Sequence, residues 1–411
     1  MISPKQRKIL AFPYSKYDAI ICDGAVRSGK TSIMMWAFVR WAMENFSGQR
    51  FGICGKTVDS CSKNIIVPFT AMTLAKEKYT MRWRRSEKIL EVRRGGTTNW
   101  FEVFGGKDES SAALIQGRTL AGVLLDEVAL MPRSFVEQAL ARCSVEGNKK
   151  WFSCNPESPQ HWFYLEWIKK HDERNALYLH FTMRDNPGLT EKVIEQYESM
   201  FTGVFYDRYI RGLWVLAEGL VYDMFDPAKN GYDRLPVGKR ATAARYIACD
   251  YGTTNPMVFL DVYDDGEVSW VEQEYRWDSR ETHRQKTDQE YADDLLAFLD
   301  CDPEDRPPVI VDPSAASFIA ELQRRGLYVL QGDNAVLDGI RRTATLFYQN
   351  RIRINRGGCE GLLGELGSYA WDQRSTMMGK EQPVKAMDHG PDALRYFVNT
   401  ALPAWRYGEI E

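Results

Sequence analysis

Apolar runs and amphipathic segments alternate along the first half of the chain. AIIC and FGIC predict short buried strands, and the spacing of apolar residues predicts helices from Ser28 to Met43 and from Ser60 to Ala75. KILEVRR and NWFEVFG have the alternation of a hairpin pair. Further strand-like runs occur at GVLLD, KKWFSC and ALYLHF. Strands that alternate with helices predict a mostly parallel sheet with helices on both faces.

The helical pattern continues from Thr190 to Leu213 and is then lost. The next stretch, AEGLVYDMFDPAKNGYDRLPVGKR, is rich in Gly, Pro and Asp, which is typical of a connection between domains. The sequence therefore predicts a first domain at 1–218, a linker at 219–242 and a second domain at 243–411.

The second half opens with three strand-like runs, ARYIACDYG, PMVFLDVYDDG and VSWVEQEYRW. A hairpin turn is expected at Asp264–Gly266. A helix from Gln289 to Leu299, the short strand PPVIVD and a final helix from Pro391 to Ala401 follow. Three antiparallel strands followed by helix–strand alternation predict an RNase H-like fold.

Composition narrows the class of protein. The chain has 411 residues, a length that favours two domains. Its net charge of −3 argues against a protein that coats DNA by bulk electrostatics. Two basic runs, Arg82–Arg94 and Gly339–Cys359, are either local DNA-binding patches or solvated faces. The eight cysteines form no C-x-x-C pair, so a zinc or disulfide framework is not expected. No secretory signal or membrane-length apolar run is recognisable, so a cytoplasmic location is expected.

A nucleotide-binding loop is the clearest chemical signal. GAVRSGKT matches the P-loop pattern in full, between a predicted strand and a predicted helix. Its glycines let backbone N–H groups face phosphates, and the helix N-terminus favours anions. Lys30 is expected at the β- and γ-phosphates of ATP, and Thr31 at Mg²⁺. The alternative is a glycine turn with a surface lysine. The residues assigned to nucleotide binding within this loop are Gly24, Arg27, Ser28, Gly29, Lys30 and Thr31.

An acidic partner for the P-loop ends the run GVLLDE. Four apolar residues predict a buried strand that places Asp126 at its carboxyl end, beside the Mg²⁺ of ATP. Glu127 follows and is expected to polarise the attacking water. The alternative is that the two acids cap a helix that starts after Leu130.

Four further residues are candidates for the ATP site. Arg27 either stabilises charge on the transferring phosphoryl group, in its own site or a neighbour's, or braces the loop. Ser153 and Asn155, at the end of the next strand, are candidates for sensing the γ-phosphate. Gln6 either contacts adenine or is a plain surface glutamine.

A second acidic site is predicted in the C-terminal half. Asp250 and Asp312 end two buried strands, and Asp388 and Asp392 flank the start of the last helix, with Pro391 suited to its first turn. Acids that converge in this way can hold two Mg²⁺ or Mn²⁺ ions for phosphodiester cleavage. Singly, each acid is equally a turn or cap residue. His389 is either a metal ligand, a proton shuttle or a packing residue.

Taken together, these motifs resemble the large terminase subunit of tailed bacteriophages over essentially the full length. The resemblance rests on GAVRSGKT, VLLDEV, FSCNP, RDNPGLTEKVIEQYESMFTGVFYDRYIRGLWV, IACDYG, VDPSA and DHGPDALRY. It implies an N-terminal P-loop packaging ATPase, with a small helical lid at about 183–218, and a C-terminal RNase H-like nuclease. Carried over, Lys30, Thr31, Asp126, Glu127 and Arg27 are ATPase residues and Ser153–Asn155 the coupling motif, where Cys154 departs from the usual small residue. The residues that match the nuclease triad are Asp250, Asp312 and Asp392.

The resemblance also implies partners. They are double-stranded DNA, the portal protein, the small terminase subunit and further copies of the chain in a ring on the procapsid, and the chain is expected to be a monomer in solution. The expected location is the host cytoplasm, docked transiently on the portal, and no membrane is involved. The alternative function is a helicase-like or recombination ATPase whose second half binds DNA without cutting it. The intact Lys30, Thr31, Asp126 and Glu127 argue against a third function, a portal adaptor with a vestigial P-loop.

Overall fold

The computed structural model describes residues 2–252 and 255–407 and divides into two compact units. The first unit comprises Met1–Glu195 and Tyr206–Leu216, and the second comprises Gln196–Phe205 and Ala217–Glu411. Residues 196–205 lie in the region where the resemblance implies a lid of the first domain, yet they group with the second unit. Met200 is buried there, and its carbonyl accepts a hydrogen bond from the Thr345 hydroxyl at 2.6 Å.

The first unit contains an eight-stranded sheet in the order β3-β4-β5-β2-β6-β7-β1-β8. Strands β5, β2, β6, β7, β1 and β8 pair in parallel, while β3 and β4 add an antiparallel edge. The predicted hairpin of KILEVRR and NWFEVFG is the β4–β5 pair. The strands are β1 (Ala19–Gly24), β2 (Arg50–Gly55), β3 (Thr80–Arg84), β4 (Ile89–Arg94), β5 (Thr97–Gly105), β6 (Gly122–Leu125), β7 (Lys149–Ser153) and β8 (Ala176–Phe181).

Helices cover this sheet and enclose two apolar clusters. One cluster is rich in aromatic rings and centres on Phe38, Trp41 and Trp151, and the other contains Phe135, Phe152 and Phe163. These helices are α1 (Pro4–Ala11), α2 (Lys30–Asn45), α3 (Val58–Cys61), α4 (Val67–Ala71), α5 (Thr73–Lys78), α6 (Ala112–Ile115) and α7 (Arg133–Ala141). The next two helices, α8 (Glu191–Glu198) and α9 (Gly203–Tyr209), each have residues in both units.

Two predicted helices are interrupted. The stretch from Ser60 to Ala75 contains a wide helical turn at Ser62–Ile66 and then α4 and α5, with Pro68 in the first turn of α4. The stretch from Thr190 to Leu213 forms α8 and α9, and Gly203 has a left-handed φ of 52° at the start of α9. Local residues that favour helix starts and left-handed backbone therefore divide these helices.

The second unit contains a seven-stranded sheet in the order β14-β13-β10-β11-β12-β15-β9. Strands β10, β11 and β12 are antiparallel neighbours, and β13 pairs with β10 in parallel. The segment 219–242, predicted as a linker, supplies the edge strand β9. The strands are β9 (Gly231–Tyr232), β10 (Ala244–Asp250), β11 (Met257–Asp264), β12 (Ser269–Trp277), β13 (Val309–Val311), β14 (Val329–Gln331) and β15 (Ile352–Asn355).

The last long helix, α17, contacts β10 and β11 and is buried along most of its length. Helices α12 and α13 contribute Tyr291, Leu295 and Phe318 to a separate apolar cluster. The helices are α10 (Pro227–Asn230), α11 (Lys239–Thr242), α12 (Asp288–Leu299), α13 (Ala316–Arg324), α14 (Val336–Tyr348), α15 (Glu360–Leu366), α16 (Gln373–Met377) and α17 (His389–Ala401). Among the described residues, no helix is both long and apolar enough to cross a bilayer.

Candidate functional sites

The P-loop connects β1 to α2 and is shaped by two glycines with positive φ. Gly24 has φ 121°, and a Cβ there would lie 1.9 Å from the carbonyl oxygen of Phe181. Gly29 has φ 78° and occupies the N-cap position of α2. Neither conformation suits a residue with a side chain, so the loop path depends on glycine at both positions. The predicted helix at Ser28 begins two residues later, at Lys30.

Lys30 is buried beneath this loop. Its ammonium donates to the carbonyl oxygens of Gly24 and Ala25 at 3.1 and 2.9 Å and to Oδ1 of Asn155 at 2.7 Å. Burial lowers the pKa of Lys30, and the charges of nearby acidic groups act against that shift. All three acceptors are neutral groups, so none of these hydrogen bonds is an ion pair. The alternative of a surface lysine on a glycine turn is wrong, because only 7% of Lys30 is exposed.

Two hydroxyl groups converge on one oxygen of Asp126. Thr31 at the start of α2 donates to Oδ1 at 2.8 Å, and Ser153 at the end of β7 donates to the same atom. Burial raises the pKa of Asp126, while these two hydrogen bonds and Lys30 act to lower it. The strands β6, β7 and β1 are neighbours, so their carboxyl ends bring these groups together. A hydroxyl beside a carboxylate is an oxygen donor set that suits Mg²⁺.

Glu127 has a left-handed backbone, with φ 54°, and precedes a short helical turn at Val128–Leu130. Within the described part of the chain, its side chain makes no capping hydrogen bond to that turn, and α7 begins later, after Pro132. The alternative that Asp126 and Glu127 only cap this helix therefore does not hold. A glutamate in this conformation costs backbone energy, which is a known feature of functional sites.

The remaining candidates also lie at the P-loop. Gln6 is buried in α1, and its amide nitrogen is 3.0 Å from the position that a Cβ on Gly29 would take, so it is not a plain surface glutamine. Arg27 is exposed with φ 55°, and its carbonyl accepts from Asn186 at 2.8 Å. The buried hydroxyl of Ser28 has no hydrogen-bond partner among the residues that the structure describes. A polar atom buried beside a phosphate-binding loop fits a nucleotide site.

The acids of the second unit come from three elements. Asp250 ends β10, Asp312 directly follows β13, and these two strands are parallel neighbours. Asp388 is the N-cap residue of α17 and Asp392 lies in its first turn, as the sequence predicts. Helix α17 contacts both strand ends, because His389 Nδ1 lies 2.8 Å from Oδ2 of Asp250 and the Tyr396 hydroxyl donates to Oδ2 of Asp312 at 2.6 Å.

Negative charge accumulates around Asp250. Burial raises the pKa of this carboxyl to about 6, the hydrogen bond from His389 opposes the shift, and the charges of Asp392 and Asp388 add to it. Burial acts to lower the pKa of His389, but Asp250 and Asp388 raise it above its ordinary value. Acidic neighbours that help to raise the pKa of Asp250 in this way also favour the binding of a cation.

Two basic side chains offset this charge. The Lys385 ammonium lies 3.4 Å from Oδ2 of Asp388 and 3.3 Å from Oδ2 of Asp392. The guanidinium of Arg395, itself buried, lies 3.0 Å from Oδ1 of Asp392. Within the described ranges 2–252 and 255–407, no three His, Cys, Asp or Glu side chains are arranged to hold one ion. The acids instead contact neighbouring side chains, and Asp388 and Asp392 share Lys385.

Comparison with known proteins assigns the family. Residues 21–228 match the family model described as terminase large subunit, T4likevirus-type, N-terminal. The large terminase of a thermophilic bacteriophage is 48% identical, with 97% of this chain and 98% of that chain covered and a TM-score of 0.92. The complex of that terminase with ADP gives 47% identity, coverage of 97% and 99%, and a TM-score of 0.91. Its complex with ATP-γ-S gives 46% identity, coverage of 98% and 99%, and a TM-score of 0.90.

This chain belongs to the large terminase subunits of tailed bacteriophages. No match was found among curated proteins. The predicted fold class is confirmed: an α/β chain with an N-terminal P-loop NTPase domain on a parallel sheet and a C-terminal RNase H-like nuclease domain.

Several residues of this terminase at the second site escape sequence reasoning. Tyr396 and Arg395 lie one turn beyond Asp392 on α17. This helical spacing indicates that they are neighbours of the site only if Asp392 is already known to belong to it. Glu365 on α15 accepts from the backbone N–H of Gly390 at 2.6 Å and from Arg276 at 2.8 Å, which fixes the start of α17. Nothing in the sequence around Glu365 signals this contact.

Proposed function

We propose that this large terminase hydrolyses ATP to move double-stranded viral DNA into a procapsid, and cleaves concatemeric DNA at a two-metal site. The proposal is carried by one observation: a single chain combines the Lys30–Asp126–Thr31 arrangement on a parallel sheet with the acids of β10, β13 and α17 on an RNase H-like sheet. The relative from a thermophilic phage is described in complex with ADP and with ATP-γ-S, which supports ATP as the nucleotide.

In the proposed ATPase reaction, Lys30 leaves the loop carbonyls and binds β- and γ-phosphate oxygens, and the loop N–H groups hold the remaining phosphate oxygens. Glu127 orients the attacking water and accepts its proton as the bond from the γ-phosphorus to the bridging oxygen breaks, which releases ADP and phosphate. Mg²⁺ bound at Thr31 and Asp126 supplies charge neutralisation at the phosphates. Arg27 is proposed to add positive charge at the γ-phosphate of its own site or of a neighbouring subunit's.

Ser153 and Asn155 connect this chemistry to the sheet. Ser153 bonds to Asp126, and Asn155 accepts from Lys30. When Lys30 turns to phosphate, the bond to Asn155 is exchanged, so the end of β7 senses the nucleotide. We assign Gln6 to the adenine end of the site, since its amide lies beside Gly29.

In the proposed nuclease reaction, Asp250, Asp312 and Asp392 supply carboxylate oxygens to two Mg²⁺ or Mn²⁺ ions, with Asp388 and His389 as further candidate ligands. These ions, when bound, activate a water and stabilise the leaving oxygen of the phosphodiester. The chain's own contribution is positional: Tyr396 holds the carboxylate of Asp312 and His389 holds that of Asp250. Carboxylate donors fit these hard cations.

The proposed partners follow from the family. We propose that the protein acts with DNA, the portal and a small terminase subunit as a ring of copies on the procapsid in the host cytoplasm, and is monomeric away from it.

Two variants separate the two activities. ATP hydrolysis and Mn²⁺-dependent plasmid cleavage are measured for the wild type, Lys30→Ala and Asp250→Ala. We expect Lys30→Ala to lose hydrolysis and keep cleavage, and Asp250→Ala to do the reverse. A wild type that hydrolyses ATP but cuts no DNA with any divalent metal would instead support a helicase-like ATPase with a DNA-binding second half.

A further inference from the structure

Asp23 is a buried carboxylate that the proposed ATPase chemistry does not use. It lies on β1 directly before Gly24, where the P-loop begins, and it has no exposed surface. The indole N–H of Trp214 donates to Oδ2 at 2.7 Å, and Nδ1 of His180 lies 3.0 Å from Oδ1. A carboxylate in such a place is tolerated only when hydrogen bonds replace its water. Asp23 therefore depends on these partners, and one of them, Trp214, is 191 residues away in the sequence.

Trp214 belongs to a segment that contacts the P-loop at further points. We call residues 209–214 the docking segment. The carbonyl of Tyr209 accepts from the backbone N–H of Val26 at 2.9 Å. Gly212 has φ 75°, and a Cβ there would lie 3.0 Å from the amide nitrogen of Ala25 and 3.1 Å from Cα of Gly24. The docking segment therefore lies against the backbone of the P-loop with no room for a side chain at Gly212.

The docking segment contacts the same P-loop residues that lose a hydrogen-bond donor in the proposed ATPase reaction. Lys30 donates to the carbonyls of Gly24 and Ala25, the same two residues that Gly212 contacts. When Lys30 turns to phosphate, these carbonyls lose a charged donor and the loop backbone is free to adjust. A segment fixed at Val26, Gly24–Ala25 and Asp23 must follow that adjustment or lose its contacts.

We propose that Asp23 is a positioning residue of the ATP site, which with Trp214 fastens the docking segment to the P-loop and makes the order of that segment depend on the bound nucleotide. The inference rests on the proposed ATPase function. Asp23 and Trp214 lie outside the P-loop motif, and neither is assigned to bind phosphate or metal. Coupling between two sites is reciprocal. Loss of the Asp23–Trp214 hydrogen bond therefore also weakens the binding of the nucleotide that favours an ordered docking segment.

Trp214→Phe is the sharpest variant. It removes the N–H donor and keeps an aromatic ring on Tyr164, with which Trp214 stacks at a centroid distance of 4.8 Å. Trp162→Phe is the matched control, because Trp162 lies in the same aromatic group and contacts Phe163 and Arg133. Asp23→Asn is a second variant, which removes the charge and keeps an acceptor oxygen.

The measurement is amide hydrogen exchange in residues 209–216 of the full chain, with ADP and with ATP-γ-S, together with the Kd of each nucleotide. In the wild type and in Trp162→Phe we expect exchange that differs between the two nucleotides. In Trp214→Phe we expect exchange to be about tenfold faster, because one hydrogen bond to a charged group is lost. We also expect that exchange no longer differs between the two nucleotides. Asp23→Asn should show a smaller loss of the same kind.

A purely structural Asp23 gives another result. Exchange in Trp214→Phe would then rise equally with both nucleotides and keep their difference, which would overturn the inference. A wild type whose segment exchanges equally with ADP and ATP-γ-S would overturn it too, while measured ATP hydrolysis would leave the proposed function intact. A wild type that neither binds nor hydrolyses ATP would overturn both.

Discussion

At the P-loop of the first unit, the hydroxyls of Thr31 and Ser153 meet on a single oxygen of Asp126, whereas the acids of the second unit contact several different side chains. Asp250 contacts His389, Asp312 contacts Tyr396, and Asp392 contacts Lys385 and Arg395. One site is arranged before its ligand binds. The other holds an excess of like charges that protein cations and hydrogen bonds offset.

The difference has a physical origin. In the P-loop site the charge of Lys30 acts to lower the pKa of Asp126, so these two opposite charges partly offset each other without a direct ion pair. In the proposed nuclease reaction the second site would hold two divalent ions, and such a site needs more negative charge than the fold can pair well. We therefore expect ATP hydrolysis at the P-loop site to be sensitive to the loss of a single hydrogen-bond donor. At the second site, we expect removal of an acid or of a competing basic side chain to change metal binding or DNA cleavage.

The largest effect is expected at Lys30. Lys30→Ala removes the buried ammonium assigned to the phosphates, and we expect the ATPase rate to fall by about a hundredfold to a thousandfold. Steady-state phosphate release checks this. Lys149→Ala is the matched control, because Lys149 is another partly buried lysine that donates to backbone carbonyls, those of Tyr17 and Ser15. An equal loss of hydrolysis per folded molecule in both variants would contradict the assignment of Lys30.

An acid of the second site should behave differently from a similar acid beside it. Asp312 and Asp288 each accept a hydrogen bond from a tyrosine hydroxyl at 2.6 Å, from Tyr396 and Tyr251 respectively. Asp312→Asn should reduce Mn²⁺-dependent cleavage by about a hundredfold, because an amide is a poor metal ligand. Asp288→Asn should leave cleavage unchanged. Plasmid nicking compares the two variants, and a similar loss in both would point to a structural role.

These two sites also differ in how far the sequence reveals them. The P-loop is continuous in sequence, and Asp126 and Ser153 follow recognisable buried strands, so the sequence predicts their place at one sheet edge. Asp250, Asp312 and Asp392 are likewise predictable as strand and helix ends. In the stretch from Thr190 to Leu213, Gly203 has a left-handed φ at the start of α9, but the hydrogen bond from Thr345 of α14 to the Met200 carbonyl joins residues 145 positions apart, and no local pattern predicts it.

Contacts between distant residues stay hidden. Trp214 with Asp23 and Glu365 with Gly390 join residues that no local pattern connects. Lys385 is seven residues before Asp392 in a stretch without regular structure, so spacing does not predict that its ammonium reaches that carboxylate. Such contacts follow from the packing of whole elements rather than from the residues near them in sequence.

Removal of a competing cation should strengthen metal binding at the second site. Lys385→Met takes away the ammonium between Asp388 and Asp392, and we expect Mn²⁺ to bind about tenfold more tightly, as expected for loss of one like charge near a partly exposed site. Titration calorimetry on the full chain without nucleotide measures this. Lys380→Met, on the same segment, should bind Mn²⁺ as the wild type does. Weaker binding in Lys385→Met would show that the lysine supports the metal site.

The smallest effect concerns the stability of the first unit. Burial lowers the pKa of His161 to about 4, and its Nδ1 accepts from the N–H of Phe163 at 3.2 Å. The unfolded chain, with an ordinary histidine pKa of 6.5, binds the proton first as pH falls, so stability is complete above pH 6.5 and is lost between that value and about 4.

We expect a loss of about 1 kcal/mol between pH 7.5 and 5.5 from this group. His161→Gln should show a smaller fall in calorimetric Tm over the same range than the wild type. An equal fall in both proteins would contradict a neutral buried His161.

The central claim is that one chain holds two separate oxygen-ligand metal sites, one tied to ATP and one to DNA cleavage. Anomalous diffraction from crystals of the full chain soaked with Mn²⁺ and ATP-γ-S tests it most directly. We predict manganese beside Thr31 and Asp126 and also among Asp250, Asp312 and Asp392, with the second position lost in Asp250→Ala and the first retained. Manganese at the P-loop alone, with no density among the acids of β10, β13 and α17 at saturating metal, would contradict the claim.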